Sequence, residues 1–419
     1  MKVLFFSPVK VSSDNTDIKG TGNWVSCLVD ALFKYAENIE LSLAYHDKRV
    51  KNVEYSNFNH TSIARIPSLA AETNFGKLID NWAVKDVYRN SLDDYLEVID
   101  FYKPDIIQIF GLEHPFIRIV GHTNIPVVIH LQGLLGPYSY KYCQRFSTTQ
   151  LIFGTKKVDL LKGSVPHLYK RKIKKHLNLE KKVHDKCRYF LGRTEWDRLF
   201  ARAFASSAAY FHCDEIMRPI FYERAWQKPQ NNECRIFTTS TAGPYKNIDI
   251  IFETMKILNE FNRNFSFEWR IAGTNSNDRV INIMRGKGFS FENLTMLGRI
   301  SSREIINEMQ QADLFVYPSA IDNSPNALQE ALLVGMPVIS SNAGGIGSLI
   351  EHNRNGYLVP EGEPYSMAGA IIDLYNDEGK ARKMGRNARE QSLKTKHPQV
   401  VVSSLIRSYS SILELHHEE

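Results

Sequence analysis

Short apolar runs alternate with helical periods along nearly the whole chain, and this alternation restricts the fold more than any other feature. Candidate strands lie at 2–7, 40–45, 105–110, 126–131, 189–192 and 209–212, then at 235–239, 268–272, 294–297, 314–317, 337–340 and 356–359. Helical periods fall between them at 23–35, 247–262, 302–311, 325–334 and 364–375. Strands apolar on both faces and separated by helices form parallel sheets covered on both sides. At 419 residues the chain exceeds one ordinary core, so two doubly wound α/β domains are expected. The polar run Gln227-Lys228-Pro229-Gln230-Asn231-Asn232-Glu233 divides the series into 1–226 and 227–397. A helical tail, 398–419, has no strand to follow and is expected to cross back onto the first domain. Ligands of open α/β sheets bind at the carboxyl ends of the strands, so the two domains are expected to face each other there across a cleft.

Charge and cysteine usage narrow the class. The net charge is +6, but residues 151–190 hold 12 Lys and Arg against 3 Asp and Glu. That stretch alone carries +9 and the remainder is slightly acidic. A solvated helical face accounts for such a run, as does a patch for anionic lipid or a phosphate-bearing acceptor. Cys27, Cys143, Cys187, Cys213 and Cys234 are odd in number and scattered, the pattern of free thiols in a reducing compartment. The start, Met1 to Pro8, reads as a buried strand rather than a signal segment. No apolar run is long enough to span a bilayer, and no nucleic-acid recognition module is readable.

The chemistry concentrates where strands end. In Asp322-Asn323-Ser324-Pro325-Asn326-Ala327-Leu328-Gln329-Glu330, Ser324-Pro325 reads as an N-cap followed by an N1 proline. Asp322 then lies in the loop and Glu330 in the second helical turn. The free amides of Asn326 and Ala327 form an anion site between the two carboxylates. Thr239-Ser240-Thr241-Ala242-Gly243-Pro244-Tyr245-Lys246 is a small-residue loop with a lysine at a helix start, where an anionic partner explains the cation. Gly20-Thr21-Gly22-Asn23-Trp24 follows the first strand and suits close backbone approach to a ligand. It lacks the third glycine of G-x-G-x-x-G, which disfavours a dehydrogenase. His130 ends an apolar strand and reads equally as a core histidine or a ligand contact. Gly344-Gly345 opens a short helix, as a simple turn or as a phosphate or base contact.

Together these motifs resemble the retaining nucleotide-sugar glycosyltransferases of the GT-B fold, the group 1 or family-four type with the E-x7-E signature. The likeness is strongest over Asp313-Leu314-Phe315-Val316-Tyr317-Pro318-Ser319, Gln329-Glu330-Ala331, Gly335-Met336-Pro337-Val338-Ile339-Ser340 and Gly356-Tyr357-Leu358-Val359-Pro360, which recur in the family's order. It implies two Rossmann-like domains, an acceptor-side one and a nucleotide-sugar donor one. It also implies that Glu330 holds the ribose, that Asp322 replaces the usual Glu on the donor sugar and that Lys246 neutralises the diphosphate. His130 would contact the sugar, Asn326 and Ala327 would meet sugar and diphosphate, and Gly20, Gly22 and Asn23 would lie under the phosphate. Asn323 and Ser324 belong to the same donor loop. Ser240 stands where many members carry an arginine, so a further cation is sought, with Arg193 as candidate. No D-x-D is present, so neither metal nor cofactor is implied.

The expected activity is transfer of a hexose from a nucleotide-diphosphate sugar to a hydroxyl acceptor, with retention, in bacterial surface polysaccharide or lipid-linked glycan synthesis. The expected partners are the donor, a glycan or lipid-linked glycan acceptor, and an anionic membrane surface through 151–190. Nucleic acid is not among them. The expected location is cytoplasmic, peripheral at the inner face of the membrane. Alternatives are a catalytically silent sugar-nucleotide-binding protein and a sugar-nucleotide epimerase of the same architecture.

Overall fold

The computed structural model describes residues 1–10, 23–58, 61–68, 74–88, 91–163 and 165–418. The first sheet comprises β1 (Lys2–Phe6), β2 (Glu40–His46), β3 (Glu54–Phe58), β4 (Thr61–Ile66), β5 (Ile106–Phe110), β6 (Val127–His130), β7 (Tyr189–Gly192) and β8 (Ala209–His212). The second comprises β9 (Cys234–Thr239), β10 (Phe267–Ala272), β11 (Leu294–Gly298), β12 (Leu314–Tyr317), β13 (Val338–Ser341) and β14 (Tyr357–Val359). Their orders are β3-β4-β2-β1-β5-β6-β7-β8 and β11-β10-β9-β12-β13-β14. Every pairing is parallel except β3 with β4. The expected doubly wound two-domain α/β architecture is therefore present. The β3–β4 hairpin was not anticipated, because β3, Glu-Tyr-Ser-Asn-Phe, is a half-exposed edge strand with little apolar signal.

Both sheets are sandwiched between helices. Val3, Phe5, Leu43 and Leu191 pack on one face of the first sheet, and Leu4, Phe6, Ile107 and Ile129 on the other. The same alternation splits Ile236, Trp269 and Val316 from Phe237, Phe315 and Val338 in the second. Packing changes sides ahead of the polar run at 227–233. Met217, Phe221 and Trp226 already lie among second-sheet residues, and the Trp226 indole donates to the Ala312 carbonyl at 2.9 Å.

Two segments cross between the domains. The C-terminal helix, Pro398–Glu418, returns to the first sheet. Val401, Leu405, Tyr409 and Ile412 form one helical face, buried with Val3, Phe5 and Leu43. In the opposite direction, the helical excursion between β6 and β7 reaches the second domain. Phe146 and Leu151 sit in its core beside Ile281 and Met284. Gly154 permits this approach, since a Cβ there would stand 2.6 Å from Ile283 Cγ1. Among the described residues, no helix is long and apolar enough to cross a membrane.

Leu405→Ala should cost about 2–5 kcal/mol, the usual loss for a large aliphatic side chain removed from a core. Urea unfolding measures this, and a loss below about 0.5 kcal/mol would mean that the C-terminal helix is not part of the first domain's core.

Candidate active site

Each sheet has one point where strand order reverses, between β1 and β5 and between β9 and β12. Loops leaving adjacent strands diverge there and open a crevice. In the second sheet those loops carry Lys246 and Asp322, and the two side chains meet. The Asp322 carboxylate accepts from the Lys246 ammonium and from the Tyr317 hydroxyl at 2.6 Å through Oδ2. Its Oδ1 accepts from the Tyr138 hydroxyl at 3.2 Å and the Asn323 amide at 3.1 Å. Burial disfavours charge on Lys246, but the facing carboxylate outweighs it and holds the ammonium well above the ordinary lysine range. The Tyr317 hydroxyl is pushed upward by burial and by Asp322. Tyr245 and Tyr317 rings flank the ammonium, with centroids at 5.2 and 5.8 Å. Lys246 ends a 3-10 turn, Pro244–Lys246, just ahead of the helix rather than directly at its start. Asn247, left-handed at φ 51°, separates it from the helix Ile248–Phe261.

The helix after β12 begins one residue later than expected. Pro325 is its N-cap with ψ 123°, and Asn326 is its first residue. Ser324 does not cap, because its hydroxyl is buried without a partner among the described residues and its carbonyl accepts from Gln329 Nε2 at 3.2 Å. Glu330 still falls in the second turn. Its Oε1 receives Arg218 Nε at 2.8 Å and Nη2 at 2.6 Å, while Arg218 Nη1 donates to Ser302 Oγ at 2.5 Å. Burial pushes the Glu330 carboxyl up and Arg218 opposes that. Among the described residues no hydrogen bond reaches Oε2, which leaves an oxygen to accept from a ligand hydroxyl. Arg218 was not anticipated. It follows the last strand of one domain and reaches a helix of the other, a proximity no local pattern encodes.

His130 ends β6 and is buried. Gln108 Nε2 faces its Nδ1 at 3.4 Å, and Gln108 Oε1 accepts from the Tyr409 hydroxyl of the C-terminal helix. That order of donors leaves the imidazole proton on Nε2, which is buried without a partner among the described residues. Burial, then Arg193 and His212, pushes the ring well below its usual range, so it is neutral. Trp24 stacks edge-on, 6.2 Å away. Gly20 and Gly22 lie outside the described residues, and Asn23 opens the helix that carries Trp24.

The remaining candidates hold the cleft together. Arg193, the candidate spare phosphate cation, is buried and mostly paired within the first domain, with its Nε left without a hydrogen-bond partner among the described residues. Nη1 donates to Glu215 at 2.5 Å and to Gln132 Oε1 at 3.0 Å, and Nη2 to the Leu131 carbonyl at 2.9 Å. Asn323 bonds across the cleft, to the Gln132 carbonyl at 3.0 Å, Asp197 at 2.6 Å and Thr194 at 3.0 Å. Gly344 and Gly345 back the Asp322 loop so closely that a Cβ on either would collide with the carbonyl of Asp322 or Asn323. Ser240 packs against the Gly273 turn, where Thr274 Oγ1 donates to its carbonyl at 2.8 Å.

At the first sheet's reversal point stands Glu113, which the motif reading missed. Gly111 and Gly133 make room for its carboxylate, whose Oε1 accepts from the Gly133 amide at 2.9 Å. Burial pushes its pKa up to about 7.

The comparisons with known proteins bear on the donor half first. The family model described as Glycosyl transferases group 1 matches residues 223–391. The match covers less than half of the chain, so the likeness to the group 1 glycosyl transferases is one of this segment. The amylovoran biosynthesis glycosyltransferase AmsK of Erwinia amylovora is 30% identical over 150 residues, 34% of this chain and 36% of the relative. The chain therefore spans about a third of that curated relative's length. Among solved structures, sucrose-phosphate synthase from Thermosynechococcus elongatus superposes with a TM-score of 0.67 at 14% identity, covering 99% of both chains. HepE from Anabaena, solved with UDP-glucose, superposes at 0.61 and 16% identity, covering 98% of this chain and 100% of its own. The matched segment thus sits within a GT-B fold of two Rossmann-like domains.

Glu180 offers a pH test of the buried acids beside this cleft. Burial, then Glu113, raises its carboxyl from the usual 4.5 to about 8. Its protonated form contributes stability that is fully present below pH 4.5 and lost as pH rises through 8. Glu180→Gln should therefore match the parent below pH 4.5 and exceed it in urea stability above pH 8. An equal difference at both pH values would contradict the assignment.

Proposed function

We propose that this protein transfers a hexose from a nucleotide-diphosphate sugar to a hydroxyl of a glycan acceptor, with retention of anomeric configuration. The observation that carries this reading is the convergence of Lys246, the helix start at Asn326 and the carboxylate of Glu330 at one sheet reversal point. A diphosphate needs a cation and free amides, and a ribose needs a carboxylate a turn further along. The match of residues 223–391 to the model of the group 1 glycosyl transferases supports it, as does the UDP-glucose bound by the similarly folded HepE.

In this reading Glu330 Oε2 accepts from a ribose hydroxyl. Lys246 exchanges its contact with Asp322 for the donor diphosphate, and Asp322 turns to the sugar hydroxyls. The neutral His130 donates from Nε2 to the sugar. The bond from the anomeric carbon to the leaving phosphate oxygen breaks, and a bond to the acceptor oxygen forms on the same face. The acceptor proton passes to the departing phosphate oxygen. Lys246 and the amides of Asn326 and Ala327 stabilise the charge on that phosphate.

Thermal-shift screening against UDP-, GDP-, ADP- and dTDP-sugars identifies the donor, because a ligand of the folded state alone raises its stability. Lys246→Ala should lower kcat by about 10²–10³-fold and Glu330→Ala should weaken donor binding, with the fold retained in both. Full activity in both variants would refute these assignments. The anomeric proton coupling of the product, read by NMR, tests retention.

The acceptor we assign is a lipid-linked glycan in surface polysaccharide assembly, met at an anionic membrane face. AmsK is named for amylovoran biosynthesis, which supports the polysaccharide part. For the membrane, exposed Phe153, Val158 and Leu161 adjoin a second apolar face, Phe75, Ile79 and Trp82 on the helix Asn74–Ala83. The Trp82 indole donates to the Leu161 carbonyl at 2.7 Å, so the two faces meet there, beside the basic stretch. Apolar side chains ringed by lysines suit a headgroup interface. Full-length protein should float with anionic liposomes at low salt, and Trp82→Glu with Phe153→Glu should abolish this. Equal flotation of that double variant would refute the surface.

A further inference from the structure

The first sheet's reversal point opens into a cavity of about 470 Å³, large enough for a sugar with an attached anionic group. Its floor comprises the ends of β1 and β2 and the turn after β5, and its wall is the basic helix Pro166–Val183. Four cations line it, Lys85, Arg118, Lys172 and Lys175, against two acids, Asp86 and Glu113.

The ionic partners of this lining leave donors to spare. Arg118 Nη2 pairs with Asp86 at 2.6 Å, yet its Nε is buried without a partner among the described residues. Lys85 pairs with Asp80 at 3.3 Å. Lys172 and Lys175 meet neutral oxygens, Asn81 Oδ1 at 3.2 Å and the Val84 carbonyl at 2.8 Å. An ammonium has three N–H donors and a guanidinium five. Charged donors that converge on a concavity and bond to neutral acceptors are arranged for an anion.

The inner end of the cavity is different. Glu113 Oε2 is buried without a partner among the described residues. Its Oε1 holds the amide of Gly133 at 2.9 Å, and the preceding residue, Gln132, accepts from Asn323 of the donor loop at 3.0 Å. One peptide therefore separates Glu113 from the loop that bears Asp322. The cavity runs from a cationic wall to a carboxyl beside the donor site.

We propose that this cavity is the acceptor subsite, and that the acceptor it takes carries a phosphate or carboxylate bound by Arg118, Lys172 and Lys175, with its hydroxyl end at Glu113. The proposal rests on the transfer reaction proposed above and supplies the chemical class of its second substrate. It also joins two surface features, since Lys172 and Lys175 reach the helix that carries the apolar patch and the chain just after it. An acceptor anchored in a membrane under that patch would enter beside them.

The test uses the full chain and three probes: methyl glucoside, methyl glucuronide and glucose 6-phosphate. Binding is followed by ligand-observed NMR, first without nucleotide and then with UDP. At least one charged sugar should bind in both conditions and the neutral glucoside should bind far more weakly. Lys172→Gln with Lys175→Gln should weaken the charged sugar roughly tenfold while leaving UDP binding unchanged. Preference for glucose 6-phosphate assigns a phosphate, and preference for the glucuronide assigns a carboxylate. Equal binding of neutral and charged sugars, equal binding by the double variant, or no sugar binding would overturn the proposal. Failure of UDP alone would count against the donor assignment, and the sugar arm without nucleotide would still decide the subsite.

Discussion

The Asp322 carboxylate is the interaction on which the arrangement of the cleft depends. Four donors meet it, from the loop after β9, from β12, from its own loop and from the first domain's Tyr138. A buried carboxylate is tolerated only when such partners compensate its desolvation. Removing one member of a buried pair typically costs about 3–5 kcal/mol, so these elements are held in mutual register. An anion that reached Lys246 would compete with Asp322 directly and so act on the contact between domains that Tyr138 makes. The shorter Asp side chain, where the family pattern has Glu, keeps this pair close to the backbone that Gly344 and Gly345 support.

The domains are also bound by exchange of segments. The first domain sends Phe146 and Leu151 into the second domain's core, and the second returns the chain through Pro398–Glu418 to the first. Lys141 with Glu361 and Arg145 with Asp249 add ion pairs across the same boundary. Motion between domains is therefore constrained to paths that preserve these two attachments. The C-terminal helix reaches His130 as well, because Tyr409 donates to Gln108 and Gln108 faces His130.

Legibility followed burial. The twelve expected strands are all present because most are apolar runs buried in a parallel sheet, where hydrophobicity and β-branching point the same way, while β8, β11 and β14 at the sheet edges are only partly buried. β3 escaped because an edge strand exposes polar side chains, and β4, Thr-Ser-Ile-Ala-Arg-Ile, escaped because polar residues interrupt its apolar run although it lies inside the sheet. The short helices at Leu135–Lys141, Thr148–Phe153 and Lys157–Leu161 escaped because their apolar residues face another domain or the outside, not their own sheet. Ser324 looked like a cap and is not one, since its side chain is buried and Pro325 takes the extended conformation instead.

Sequence alone determined what depends on near neighbours: the α/β alternation, two doubly wound halves, a helix start followed by Glu330, and the motif order of a group 1 glycosyltransferase donor domain. Tertiary structure decided which charges are free. Arg193 pairs with Glu215 and backbone carbonyls, Arg218 takes Glu330, Lys246 takes Asp322, and Glu113 keeps an oxygen without a partner among the described residues. A residue's type fixes its charge and its hydrogen-bonding capacity, but the partner that uses that capacity comes from a segment tens or hundreds of residues away. Only the folded chain brings the two together.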